Sequence, residues 1–214
     1  MSKIAGSTAT LGLRAHSGWA AVVALAGPAS APRVLARQRL EFADPKLGYS
    51  KQPYHAAAER SLAEAEKLIA KCMQSSIDLA FLGMRGIVDE LKTAGARVTA
   101  CGLLLGSGKP LPELAGILRS HALIHTAEGE MFRRVLAQAA ERLGMRIVGV
   151  KEKQIWQQAA AALNQSKNEI TAQLKATGKS LGPPWREDER LATLAAWMAL
   201  AQTAPRAATS TKSR

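Results

Sequence analysis

The sequence predicts an α/β domain, a mixed sheet covered by helices, and three observations carry that expectation. Segments of strand character open the chain at 10–26 and 33–42 and recur singly at 97–105 and 146–150. Between and after them stand stretches whose apolar residues repeat at helical spacing. The chain has 214 residues, 47% hydrophobic and 21% charged, which suits one globular core and excludes disorder throughout.

Residues 10–26 (TLGLRAHSGWAAVVALA) are apolar with a small-residue interruption at 16–18, which fits either strand, bend and strand or one bulged strand. A turn at 27–32 leads to 33–42, whose alternation sets Val34, Ala36, Leu40 and Phe42 on one face and Arg33, Arg37 and Arg39 on the other. A helix is expected over 54–73. The apolar stretch 77–82 reads equally as a short strand or a helix continuation, and 86–93 is helical up to Gly95. After the strand at 97–105 and a loop at 106–112, residues 114–143 are largely helical with Gly129 as a weak point. The strand at 146–150 precedes a helix over 154–163. Ser166 N-caps the next one, with Glu169 in the capping-box position and Gly178 as its end. A last helix over 187–202 follows Pro183 and Pro184, its acidic first turn suited to the helix dipole.

The expected organisation is a flexible N-terminus at 1–9, one domain over 10–203 and a disordered basic tail at 204–214, rich in Ala, Ser and Thr. Cys72 and Cys101 form no CxxC pair and no signal peptide precedes them, so they read as reduced core thiols of a cytoplasmic protein. Apolar runs are broken by Gly and Pro short of the roughly 20 residues a membrane span needs. Lys and Arg number 29 against 17 Asp and Glu, and most of the +12 excess sits at the two ends of the chain. If both ends share a face, that face attracts phosphate, with affinity that falls as salt rises.

The element order, the segment 122–129 (ALIHTAEG), residues 154–156 (QIW), residues 166–170 (SKNEI) and the helix containing Asp188 with Leu191, Ala192, Leu194 and Ala195 resemble the ribonuclease H-like superfamily, most closely the RuvC-type Holliday-junction resolvases. The resemblance spans about 8–202 and implies a ribonuclease H-like mixed sheet flanked by helices, DNA as a partner and a homodimeric state. It also implies carboxylates on the first strand, on the strand after the first helix, and two near the start of the last helix, because two divalent cations need hard oxygen ligands beside the scissile phosphate. The sequence departs from that pattern. Arg14 stands at the first-strand position, 99–103 (TACGL) carries no acid, and in the last helix Asp188 remains while Leu191 occupies the other place. A guanidinium about 4 Å from a divalent ion is repelled by roughly 8 kcal/mol at an effective dielectric of ~20. The two-metal site is not expected to assemble.

Other constellations compete for a role. His121, His125 and Glu128 stand at i, i+4 and i+7 and share a helical face, a spacing that binds zinc or another transition metal; the plain alternative is helix-end hydrogen bonding, with Glu128 and Glu130 pairing to Arg133 or Arg134. Glu128 could instead reach the sheet edge and replace the missing strand acid. Glu187 and Glu189 read as dipole compensation. Trp185 suits core packing better than base stacking. The GSGK at 106–109 is a weak phosphate-loop match because Pro110 follows the lysine. Lys151, Lys153, Lys167, Lys175 and Lys179 form one basic band, and Arg33, Arg37 and Arg39 another.

The function expected from this reading is resolvase-like nucleic-acid binding without catalysis and without a cofactor, with Arg14 attracting phosphate directly and the two bands adding sequence-independent affinity. One alternative is a nuclease built on a rearranged acid set, Glu128 and Asp188 with magnesium or manganese and His125 nearby. The other is a protein-interaction scaffold.

Overall fold

A computed structural model describes residues 6–203 apart from residue 107. The expected tail at 204–214 and the first five residues lie outside the described residues. Three strands open the chain: β1 (Ser7–His16), β2 (Trp19–Ala26) and β3 (Arg33–Glu41). Residues 10–26 are therefore strand, turn and strand. Gly18, at φ +78°, makes the tight reversal that aligns His16 with Trp19. The short helix α1 (Pro53–Ala57) and the long helix α2 (Leu62–Thr93) follow, then β4 (Ala96–Leu105), α3 (Leu114–Leu118), α4 (His121–Arg142), β5 (Arg146–Lys151), α5 (Ile155–Leu163), α6 (Lys167–Leu181) and α7 (Glu187–Thr203). The sheet order is β3-β2-β1-β4-β5, antiparallel through the opening hairpins and parallel across β1, β4 and β5. The expected mixed sheet is what forms.

Helices cover both faces. On one side α2 and α4 pack against Leu11, Leu13, Val22, Cys101 and Leu103. On the other, α5, α6 and α7 pack against Val23, Leu25, Leu104, Val148 and Val150. Every residue of α7 from Leu191 to Leu200 is buried, the pattern of a helix enclosed on all sides. Its large side chains, Leu191, Leu194, Trp197, Met198 and Leu200, each contribute about 1.5–3 kcal/mol by leaving water. The helix lies close because glycines face it: a Cβ on Gly12 would strike the Ala192 carbonyl, and one on Gly102 the Ala195 carbonyl.

Several boundaries differ from expectation or settle an alternative that the sequence left open. The helix expected over 54–73 is two: α1 stops at Ala57, and Ser61 starts α2 with a full capping box to Glu64. Residues 77–82 are helix continuation inside α2, and Gly83 within it makes room for Leu40 of β3. A bulge opposite Ala24 and Leu25 breaks the alternation of β3, so Val34 packs on the α7 side while Leu35 and Ala36 turn to the other. Helix 114–143 is divided at Arg119 and Ser120 rather than at Gly129. Gly178 does not end α6, which runs to Leu181; it seats the Trp185 indole, which a Cβ would strike. The Ser166 capping box forms as expected. Among the described residues no helix is long and apolar enough to cross a membrane.

Candidate functional site

Alternation along β1 sends Thr10, Gly12, Arg14 and His16 toward α7, and Ala9, Leu11 and Leu13 toward the α2–α4 core. Two strand residues advance about 6.6 Å and four helix residues about 6 Å, so strand and helix run in step. Thr10 Oγ1 donates to the Ala196 carbonyl at 2.8 Å, Gly12 lies under Ala192, and Arg14 meets Asp188 in the first turn of α7. The meeting point is the carboxyl edge of the parallel strands β1, β4 and β5, where open α/β sheets place their sites.

There the Arg14 guanidinium donates from Nη1 to Asp188 Oδ1 at 2.5 Å and from Nη2 to Glu152 Oε1 at 2.8 Å, with Glu187 at 3.9 Å. His16 Nε2 lies 2.9 Å from the same Asp188 oxygen, its ring stacked on Trp19 at 4.1 Å. Arg14 is 16% exposed, Asp188 27% and Glu152 34%, so the pairs are only partly screened by solvent. Arg14, expected to attract phosphate directly, is held by protein carboxylates, with one bond from Nη1 to Asp188 and one from Nη2 to Glu152. Nor does the donor set fit two divalent cations. The cation between Asp188 and Glu152 is a guanidinium.

Glu128 does not join Asp188. It sits on α4, on the opposite face of the sheet from α7, and its carboxylate is buried against α1. One oxygen accepts from the Tyr54 and His55 backbone N–H groups at 3.1 and 3.2 Å, and both lie 3.0 Å from His55 Nδ1. The two carboxylates share no partner, so the expected Glu128–Asp188 catalytic pair is not formed. His125 likewise lies with α1, away from Asp188. The metal triad expected from His121, His125 and Glu128 is also altered: His55 takes the third place, and the ligand atoms of His55, His121 and His125 all lie within 4.8 Å of one another.

The basic bands meet around α6. Exposed Lys175 and Lys179 line a cleft of about 670 Å³ with Trp156, Trp185 and Arg190. Arg33 lines a neighbouring cleft against Leu174 and Thr177 on the same helix. Lys167 lies 5.6 Å from the Trp156 ring centroid. Lys153 borders a third cleft of about 410 Å³ with Arg133, Trp156, Glu152 and Glu187, beside the Arg14 cluster. Lys151 is exposed at the end of β5. Arg37 is occupied: it donates to the Gly182, Pro183 and Pro184 carbonyls and fixes the loop into α7. Arg39 pairs with Glu41 and lies over the Trp19 ring at 3.7 Å. Trp185 packs in the α5–α7 core layer, as expected for a packing residue, with its buried Nε1 unpartnered. The GSGK segment leads only to the five-residue α3.

Three residues of these sites escaped the sequence reading. His16 was signalled by its position two after Arg14 on one strand face. Glu152 and His55 had no local signal, because the fold alone brings them to Arg14 and to α4.

No family model and no curated protein matches this sequence. Among solved structures the chain is similar to Thermus thermophilus RuvC in complex with a Holliday junction substrate, at TM-score 0.52 and 10% identity over 91% of this chain and 94% of that one. It is similar also to Thermus thermophilus RuvC alone, at TM-score 0.51 and 13% identity over 91% and 95%. The architecture is the ribonuclease H-like α/β fold of the RuvC structures.

Proposed function

We propose that this chain binds nucleic acid, branched or duplex DNA first among candidates, on a ribonuclease H-like scaffold without two-metal hydrolysis. The observation that carries the reading is Arg14, held 2.5 Å from Asp188 and 2.8 Å from Glu152. A side-chain cation pairs with Asp188 and Glu152 at the sheet edge, and a divalent ion there would meet roughly 8 kcal/mol of repulsion from that guanidinium at ~4 Å and an effective dielectric of ~20. Affinity comes instead from the exposed lysines of the late helices. Lys153, Lys167, Lys175 and Lys179 are set around Trp156 and two adjoining clefts, with Arg33 and Lys151 at the margins. Cationic side chains spaced around an aromatic ring suit a phosphate backbone and an unstacked base. The similar Thermus thermophilus chain was solved with a Holliday junction substrate, which favours branched DNA.

Fluorescence anisotropy with a four-way junction and a linear duplex tests this. With about four phosphate contacts the log–log salt slope is about −3.6, a loss of about 150-fold in affinity between about 50 and 200 mM salt. The same DNA incubated with magnesium or manganese stays intact. Metal-dependent cleavage abolished by Asp188→Asn would return the nuclease reading, and no binding at low salt would leave the scaffold reading.

A further inference from the structure

We infer that His55, His121 and His125 form a site for one transition-metal ion, zinc first, which fastens α1 to the start of α4. The inference is independent of the proposed DNA binding and uses none of its residues. His121 and His125 are one helical turn apart on α4, with ring centroids 4.5 Å apart, and His55 faces both at 5.3 and 4.6 Å. Three imidazoles with no acid among them select zinc, copper or nickel over magnesium or manganese.

Glu128 sets the geometry from behind. His55 Nδ1 lies 3.0 Å from both of its oxygens, so with a metal bound Nδ1–H would donate to the carboxylate and leave the Nε2 lone pair for the ion. This arrangement of carboxylate, histidine and metal explains a buried carboxylate whose partners otherwise are two α1 backbone amides. Nitrogens around a tetrahedral zinc stand about 3.3 Å apart, from metal–nitrogen distances of about 2.05 Å. Exposed His121 and His125 can rotate to close the present spacing of up to 4.8 Å. Three protein ligands leave a fourth position to water. The apolar cluster of this corner, Ile117, Ile124 and Ala127, is small, so a metal cross-link would add substantially to what holds it.

The test is calorimetric titration of untagged, chelator-stripped full chain with zinc chloride, with cobalt absorption as the geometric probe. One zinc per chain is expected, with a tetrahedral cobalt spectrum and a raised melting temperature. His125→Ala, at an exposed position, is expected to weaken binding by about 100-fold or more, and Glu128→Gln, which keeps all three ligands, by about 10- to 100-fold. His121→Gln gives a second ligand variant should His125→Ala fail a circular-dichroism check. Substoichiometric zinc, or ligand variants that bind as the wild type does, would overturn the inference.

Discussion

Replacing Arg14 by aspartate inverts the electrostatics of the sheet edge, and the consequence can be worked from the structure. The guanidinium makes two charge-assisted bonds, 2.5 Å to Asp188 and 2.8 Å to Glu152, at 16% exposure. An exposed pair is worth about 0–1 kcal/mol, and removing one partner of a fully buried pair costs about 3–5. The partly screened Arg14 pairs fall between, so Arg14→Leu should cost about 2 kcal/mol. That lowers the melting temperature by about 4–8 °C for a chain of this size. Arg14→Asp adds repulsion among three carboxylates and should cost more, about 3–4 kcal/mol, in metal-free buffer. The same acids would then hold a hard cation, and magnesium at about 100 times its dissociation constant would restore about 2.7 kcal/mol. Urea unfolding with and without magnesium, at matched ionic strength, reads both effects. Wild type should show no magnesium shift and Arg14→Asp a large one. The reasoning is refuted if wild type gains as much from magnesium as the variant, or if Arg14→Leu is neutral.

Four further outcomes follow from the packing, the burial and the charge. Gly178→Ala places a methyl group on the Trp185 ring, so it should destabilise by about 1–3 kcal/mol and shift tryptophan emission, measured by urea titration. Burial pushes Cys72 up to about 11 and Cys101 up to about 12, so neither thiol should react with a disulfide reagent until the chain unfolds. Because both thiols ionise at higher pH in the folded than in the unfolded chain, where the value is near 8.5, their contribution is intact below about pH 8.5. It is lost as pH rises toward 11–12, visible as an alkaline fall in unfolding free energy. Lys175→Ala with Lys179→Ala should weaken DNA binding alike for all sequences and flatten the salt slope by about 2 in anisotropy titrations.

The fold was legible where local signals agree. The Ser166–Glu169 capping box and the acidic first turn of α7 are contiguous in sequence and formed as read. What was not legible came from long-range packing. Residues 77–82 read equally as strand or helix continuation, and it is the long α2 that runs through them, with Gly83 making room for Leu40. Gly178 looked like a stop and is a seat for Trp185. At the sheet edge, Arg14 and Asp188 could be singled out because strand and helix positions each carry a resemblance, but their mutual pairing and the arrival of Glu152 depend on the register between β1, β5 and α7. Periodicity grouped His121, His125 and Glu128 correctly on one helix, but it could not show that α1 inserts His55 between them and the carboxylate.

The central claim is that the Arg14 guanidinium, bonded to Asp188 and Glu152, keeps divalent metal from those carboxylates, and a manganese soak of crystals of the wild-type chain, read by anomalous scattering, tests it most directly. The account expects no manganese beside Asp188 and Glu152, with Arg14 still bonded to both. Anomalous density within about 2.6 Å of those carboxylates, with Arg14 turned away, would contradict it.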